Sequence, residues 1–316
     1  MRLKVLYILG SSRSGTTILD RILGELDGYF SAGELRRLWL RALQNRSCGC
    51  GRPIIECPIW SGVLDESGGG SSADPQRLEW VLEQQRRAVH LRLTPRLLRA
   101  KERSDLSGWD AFDTTLGLMQ HAYQRLQALT GASVIVDSSK RPSDGALLRF
   151  MPGIDHCFVH VLRDPRAVAY SQRKPKPNPD RDHSSAIPSL STTESTVQWL
   201  AMNAGASSLV RRHGRGRSLV VRYEDFASDP RATIAAITEL VGRGDPGAPF
   251  RAARTVELGG NHTVSGNPMR FQVGAIQLRE DNRWHKELPR VPRILAMSMS
   301  LPLMKRYGYP LRSRHT

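Results

Sequence analysis

Short apolar runs alternate with segments of helical periodicity along most of the chain. The first apolar run, residues 5–9, leads into a loop of glycine, serine and threonine, and apolar residues at helical spacing follow over residues 18–26. A short apolar run of this kind predicts a buried strand, and apolar positions repeating at i, i+3 and i+4 predict a helix. The chain therefore begins with a strand, a polar loop and a helix.

The same alternation returns later in the chain. Further strands are predicted at residues 134–136, 156–162 and 218–222, with a short one at 29–32, and helices at 35–43, 76–103 and 110–129. Strands alternating with helices predict an α/β fold: a three-layer, phosphate-loop-like architecture with a mainly parallel sheet and helices on both faces. Ligands bind beyond the carboxyl ends of such strands. Four polar clusters are placed there, at residues 11–17, 137–140, 163–166 and 222–225.

The length of 316 residues fits a single domain, 1–316, with insertions. A helical and cysteine-rich insertion is expected at about 45–130, and a proline-rich loop at about 174–190 is expected to act as a lid. No apolar run approaches the ~18 residues of a membrane span, and the first apolar run is too short for a signal peptide. These features predict a cytoplasmic protein.

The loop after the first predicted strand, residues 10–17, is called the opening loop, and it has the features of a phosphate-binding loop. Gly10 and Gly15 have the spacing of GxxxxGK[ST], but Thr16 stands where the lysine belongs, and Arg13 is the loop's only cation. Backbone N–H groups and the start of the next helix can hold an anion there. The pattern favours a phosphate ester other than the one a kinase loop holds; a plain turn between strand and helix is the alternative.

The formal net charge is +16 and the isoelectric point is about 10.4. A basic surface can serve an anionic cofactor, an anionic substrate, nucleic acid or a membrane face. Zinc-finger, RNP and basic-zipper patterns are lacking in the sequence, so nucleic-acid binding rests on charge alone. We therefore expect no nucleic-acid partner and keep a nucleic-acid-binding protein as the weaker alternative.

Three of the four cysteines, Cys48, Cys50 and Cys57, lie within ten residues of one another, and Cys157 lies in a predicted strand. The three can bind zinc with a fourth ligand such as a histidine, pack in the core, or form a redox-active pair. Their spacing is not that of a CxxC pair, and no histidine follows at finger distance. The sequence leaves these three interpretations open.

Two separated motifs together resemble one family. Ser12-Arg13-Ser14-Gly15-Thr16-Thr17 and Leu162-Arg163-Asp164-Pro165-Arg166-Ala167-Val168-Ala169-Tyr170-Ser171 resemble the 5′-phosphosulfate loop and the 3′-phosphate motif of sulfotransferases that use 3′-phosphoadenosine-5′-phosphosulfate (PAPS). The nearest branches are the bacterial members related to carbohydrate and tyrosylprotein sulfotransferases. The resemblance spans residue 4 to about residue 285 and is weakest in the insertion.

The resemblance implies a role for each matching residue. PAPS serves as co-substrate, and no metal is expected because the donor already carries a good leaving group. In the family, the tyrosine of a segment that resembles residues 222–226 lies near the adenine. A loop that resembles residues 266–271 closes over the nucleotide. The implied cofactor-binding residues are Ser12, Arg13, Ser14, Gly15, Thr16, Thr17, Arg163, Ser171, Tyr223 and Arg270.

Three residues are implied in catalysis. Glu34 resembles the glutamate that tyrosylprotein sulfotransferases carry in a Gly-Glu context, and we expect it to remove the acceptor proton. Arg13 and Lys140 are expected to stabilise the charge that develops during in-line transfer. Histidine is the base in the cytosolic sulfotransferases of the steroid and phenol type. The less favoured candidates for the base are therefore His121, His160 and His262.

The acceptor is expected to be a hydroxyl or amine of a small molecule, glycan, lipid or peptide-like compound. Trp199 and Asn203 are candidates for its pocket, with core packing the alternative for Trp199. The rival enzyme class is a nucleotide-dependent kinase built on the same loop. The missing loop lysine and the lack of a clear magnesium-binding carboxylate beside the loop count against it.

Overall fold

A sheet of five parallel strands forms the centre of the computed structural model, which describes residues 2–65, 74–173, 175–177, 186–187, 189–243 and 249–311. The strands are β1 (Lys4–Gly10), β2 (Tyr29–Gly33), β3 (Val134–Lys140), β4 (Asp155–Leu162) and β7 (Ser218–Arg222). Their spatial order is β2-β3-β1-β4-β7. β1 pairs in parallel with both β3 and β4.

Helices cover both faces of this sheet. The helices are α1 (Thr16–Gly24), α2 (Leu38–Leu43), α3 (Pro58–Asp65), α4 (Pro75–Val89), α5 (Thr94–Arg99), α6 (Asp110–Thr130), α7 (Pro142–Leu147), α8 (Pro165–Arg173), α9 (Thr192–His213), α10 (Tyr223–Ser228), α11 (Pro230–Val241), α12 (Trp284–Glu287) and α13 (Arg290–Arg306). Alternate side chains of β1 enter different cores. Tyr7 belongs to the core cluster that includes residues of α4, α6 and α9, whereas Leu6 belongs to the one that includes residues of α1 and α11. This division confirms the three-layer α/β architecture expected from the sequence.

The remaining strands lie outside the central sheet. The two-residue strands β5 (Lys176–Pro177) and β6 (Ala186–Ile187) pair antiparallel, and β8 (Phe250–Ala252), β9 (Thr255–Leu258) and β10 (Gly274–Gln277) form a small antiparallel sheet. Most of the expected lid, 174–190, lies outside the described residues. Among the described helices, none has the length and apolarity that a membrane span requires.

Local chemistry explains where the elements differ from the sequence prediction. The helix expected over 76–103 is two helices, because α4 ends before His90, whose backbone is extended, and Pro95 opens α5. Proline suits a first helical turn and disrupts a helix interior, so it favours a restart there. β3 continues through the polar residues 137–140 that were expected to follow it, and the helix expected at 35–43 begins as a 3-10 turn.

The end of β2 is joined to a distant segment, residues 259–272, which we call the late loop. The Val264 N–H donates to the Ala32 carbonyl (3.0 Å), and the Glu34 N–H donates to the Ser265 carbonyl (3.1 Å). Gly33 lies between them with a φ of 72°, and a Cβ there would stand 2.5 Å from the Ser265 carbonyl oxygen. Only glycine fits this backbone and this close approach.

Replacing Gly33 tests this junction. We expect Gly33→Ala to lower the free energy of unfolding by about 2–4 kcal/mol, because it adds a backbone clash to left-handed strain. Gly131→Ala is the matched control, since Gly131 has a φ of 69° and open space around its Cβ position. It should cost only about 1 kcal/mol in urea unfolding. Equal losses in the two variants would show that the late loop moves away freely.

Candidate active site

A cavity of about 620 Å³ lies at the carboxyl ends of the central strands. Its walls come from the opening loop, the ends of β2, β3 and β4, helices α8 and α9, and the late loop. Its polar lining is mainly cationic. The charged side chains that line it are Arg13, Glu34, Arg37, Arg41, Lys140, Arg163, Arg270 and Asp281. The convergence of polar strand ends predicted from the sequence is therefore present in the fold.

The opening loop lies at the base of the cavity. Gly15 has a φ of 81° and caps the start of α1, and Arg13 also has a positive φ of 67°. All of the implied loop residues line the cavity except Ser14, which is buried and whose hydroxyl hydrogen bonds with that of Ser11 (2.9 Å). The Thr17 hydroxyl accepts a hydrogen bond from the Asn267 N–H (3.2 Å), which joins this loop to the late loop.

Arg163 extends from the end of β4 into the same cavity. Its guanidinium donates to the Arg13 carbonyl (2.9 Å) and lies 4.5 Å from the ring centroid of Tyr223. The Tyr223 ring in turn packs against the loop, where a Cβ on Gly15 would stand 2.4 Å from it. Ser171, on α8, lines the same cavity. The two sequence motifs therefore meet at one site.

Arg13 and Arg163 bring positive charge into this part of the cavity. Burial, and secondarily the neighbouring Arg163, lower the pKa of the Arg13 guanidinium. Neither arginine forms an ion pair with a carboxylate in the part of the chain that the structure describes. Two guanidinium groups held this close favour an anionic ligand between or beside them.

Two buried carboxyl groups lie behind the loop. Burial raises the pKa of Asp20 to about 7 and the pKa of Asp137 to about 6. Asp137 accepts hydrogen bonds from the Tyr123 hydroxyl (2.6 Å) and the Ser139 N–H (2.8 Å). Because both acids bind protons close to neutral pH, they offset less of the positive charge than ordinary carboxylates would.

Glu34 and Lys140 form a buried ion pair at the ends of β2 and β3. One carboxylate oxygen of Glu34 accepts from the Lys140 ammonium, and the other accepts from the Arg37 side chain (2.7 Å). Burial raises the pKa of Glu34, but Lys140 and Arg37 outweigh it and lower the pKa to about 2. Lys140 has a φ of 71°, so the backbone is strained where it presents this ammonium.

Arg270 lines the cavity, and its guanidinium donates hydrogen bonds to the protein backbone. It donates to the carbonyls of Thr263 (2.8 Å) and Ser47 (2.9 Å). Arg21, buried on α1, donates to the carbonyls of Arg270 (2.7 Å) and Gly259 (2.7 Å). These contacts hold the late loop against α1 and the loop around Ser47.

The three histidines named as alternative bases do not line the cavity. Among the described residues, no histidine lines it. His160 is fully buried and hydrogen bonds with Asn203 (3.0 Å). The Trp199 indole donates to the Arg163 carbonyl (2.9 Å), so this side chain packs in the core and supports the strand end.

Sequence reasoning missed several lining residues, among them Arg37, Arg41, Gln198 and Asp281. The spacing of Arg37 and Arg41, three and seven residues after Glu34, is a helical signal that places all three on one side. No local signal marks Gln198 or Asp281, whose positions depend on tertiary packing.

Comparison with known proteins places this chain in a family. A profile described as "Sulfotransferase family" matches residues 71–245, more than half of the chain. That range contains Lys140, Arg163 and Ser171, whereas the opening loop and Glu34 lie before it. Among curated proteins, none shows significant sequence similarity to this chain.

Two solved structures share the fold across nearly the whole chain. The sulfotransferase domain of the Synechococcus PCC 7002 olefin synthase has a TM-score of 0.53 at 18% identity, covering 98% of this chain and 96% of that one. The sulfotransferase domain of the curacin biosynthetic pathway has a TM-score of 0.51 at 12% identity, covering 98% and 99%. The matched profile, together with an α/β fold of this architecture, identifies the chain as a member of the sulfotransferase family.

Proposed function

We propose that this protein transfers the sulfonyl group of PAPS to a hydroxyl or amine of a small-molecule, glycan, lipid or peptide-like acceptor. The observation that carries the proposal is the pairing of the opening loop with Arg163 in one cationic cavity. PAPS carries a phosphosulfate at one end of its ribose and a separate phosphate at the 3′ position. The loop and Arg163 supply two adjoining anion sites, which a donor with two anionic groups would fill.

The residues present fit this donor. Backbone N–H groups of the loop, with the hydroxyls of Ser12 and Thr16, would hold the 5′-phosphosulfate at the start of α1. The Arg163 guanidinium and the Ser171 hydroxyl would hold the 3′-phosphate through charge-assisted hydrogen bonds. Tyr223, which contacts both the loop and Arg163 and lines the cavity, would contact the nucleotide between them.

Glu34 would act as the base, and Lys140 would control its basicity. A carboxylate with a pKa of about 2 accepts a proton poorly near neutral pH, and the Lys140 ammonium is the main charge that lowers this pKa. An anion bound at the loop would draw this ammonium away from Glu34. The pKa of Glu34 would then rise, while Lys140 and Arg13 stabilise the charge that moves onto the leaving phosphate.

Ligand-induced stabilisation tests the donor class. We expect adenosine 3′,5′-bisphosphate to raise the melting temperature, because it presents phosphates to both anion sites, and ATP with magnesium to raise it less. Adenosine 5′-monophosphate, which lacks the 3′-phosphate, is the matched control. Preferential stabilisation by ATP with magnesium would favour the kinase alternative and overturn the proposal.

Removing Arg163 tests the 3′-phosphate site. We expect Arg163→Ala to weaken binding of adenosine 3′,5′-bisphosphate by about 10- to 100-fold in calorimetry, since it removes a charge-assisted forked contact. Binding of adenosine 5′-monophosphate should change far less. Arg103→Ala removes the same charge at an exposed ion pair with Asp113 outside the cavity, and should leave both affinities unchanged. If Arg163→Ala preserved the preference for the bisphosphate, Arg163 would not bind the 3′-phosphate.

Replacing Glu34 tests the base. We expect Glu34→Gln to lower turnover by about 100-fold or more with an acceptor that the wild type uses, because the amide cannot take the proton. Affinity for adenosine 3′,5′-bisphosphate should be kept or increased, since Lys140 loses its anionic partner. Arg37→Ala, which removes the other partner of Glu34 and leaves the carboxylate, should retain far more activity. Turnover near the wild-type level in Glu34→Gln would assign the proton transfer to another group.

A further inference from the structure

Four potential metal ligands meet outside the active-site cavity. Cys48, Cys50 and Cys57 come from the segment after α2, and His262 comes from the late loop more than 200 residues further on. The three Sγ atoms and one ring nitrogen of His262 all lie within 4.8 Å of one another. The sequence left the partner of the three cysteines open, and the fold brings a histidine to them.

Four of the six separations between these atoms are close to those of a tetrahedral metal site. The Sγ of Cys57 lies 3.6 Å from that of Cys48 and 3.9 Å from that of Cys50. The Nδ1 of His262 lies 3.3 Å from the Sγ of Cys57 and 3.9 Å from that of Cys48. Zinc–ligand bonds of about 2.0–2.3 Å at tetrahedral angles separate neighbouring ligand atoms by about 3.5–3.8 Å. A disulfide would require about 2.05 Å, so none of these contacts is a disulfide.

Backbone contacts hold the ligands in place. The Cys48 N–H donates to the Arg52 carbonyl (2.7 Å) and the Gly51 N–H donates to the Cys48 carbonyl (2.9 Å), which forms a tight turn around the first two cysteines. The Gly49 N–H donates to the Thr263 carbonyl (3.0 Å), beside His262. These contacts come from the backbone, so the chain presents the four side chains together as part of its fold.

The surroundings of the cluster also suit a metal. The Trp60 indole donates to the carbonyl of His262 (2.7 Å) and fixes that residue in the late loop. Cys48 and Cys57 are fully buried, whereas Cys50 is exposed. Two ligands are thus shielded from solvent, and the exposed cysteine gives an ion a path of entry.

We propose that Cys48, Cys50, Cys57 and His262 bind one zinc ion through three thiolates and one imidazole. Four protein ligands complete a tetrahedral zinc site and leave no position for water or substrate, which is the arrangement of a structural site. The ion joins the segment after α2 to the late loop, and the late loop forms one wall of the active-site cavity. Zinc therefore stabilises that wall and takes no part in the transfer step.

Metal content of the purified full-length chain tests the proposal. We expect about one zinc per chain in the wild type after reconstitution with zinc under reducing conditions and removal of excess ion. Cys50→Ser and His262→Ala should lower zinc occupancy at least about tenfold under competition with a chelator, because each removes one ligand. Cys157→Ser is the matched control: this buried cysteine lies outside the cluster, and its loss should leave zinc content unchanged.

Two further measurements keep the test independent of folding. Cobalt in place of zinc should give the absorption of a tetrahedral ion and a thiolate-to-cobalt charge-transfer band, and Cys50→Ser should weaken that band. His262→Cys should retain the metal as a four-cysteine site even if His262→Ala fails to fold. The proposal would be overturned if the wild-type protein held no zinc after reconstitution. It would also be overturned if the cysteines of the wild-type protein formed a disulfide and bound no cobalt.

Discussion

Two buried arginines hold one wall of the candidate active site together. Arg21 on α1 and Arg270 in the late loop each donate to backbone carbonyls of distant segments, and both are about 1% exposed. A buried carbonyl without a partner is costly, and a guanidinium can satisfy several at once. An irregular loop can pack beside the sheet because these two side chains provide the donors that a neighbouring strand would otherwise supply.

The position of this wall determines the chemistry of the cavity. The late loop meets the end of β2 at Gly33, one residue before Glu34, and it meets the opening loop at Thr17. Placement of the proposed base and of the opening loop therefore depends on the same segment. Left-handed backbone at Arg13 and Lys140 indicates that the fold accepts strain to direct two cations into the cavity.

The strands and helices could be predicted from the sequence where they follow local hydrophobic periodicity. The strand over Ser218–Arg222 has the predicted bounds, and the polar clusters do lie at strand ends. The break at His90 depends on Pro95, a local signal that helical spacing alone did not take into account. Nothing local could show that His262 would meet Cys48, because that contact depends on how the whole sheet folds.

Only part of the candidate site could be predicted from the sequence. Motif residues such as Arg163 and Tyr223 line the cavity, whereas Ser14 turns to Ser11. Arg270 also lines the cavity, but its guanidinium donates to backbone carbonyls. A motif fixes which residues lie on a loop, but the direction of each side chain depends on partners from other parts of the chain. For Arg270 those partners include Ser47, which the sequence places in an unrelated insertion.

The contact between Arg270 and Ser47 spans 223 residues of chain, and that between Arg21 and Arg270 spans 249. Long-range closures of this kind carry a large entropic cost and form slowly. During synthesis, all five strands of the sheet leave the ribosome before the late loop does. The cavity can therefore acquire its final wall only after every strand of the central sheet has been made, so its shape would report that the late loop has folded.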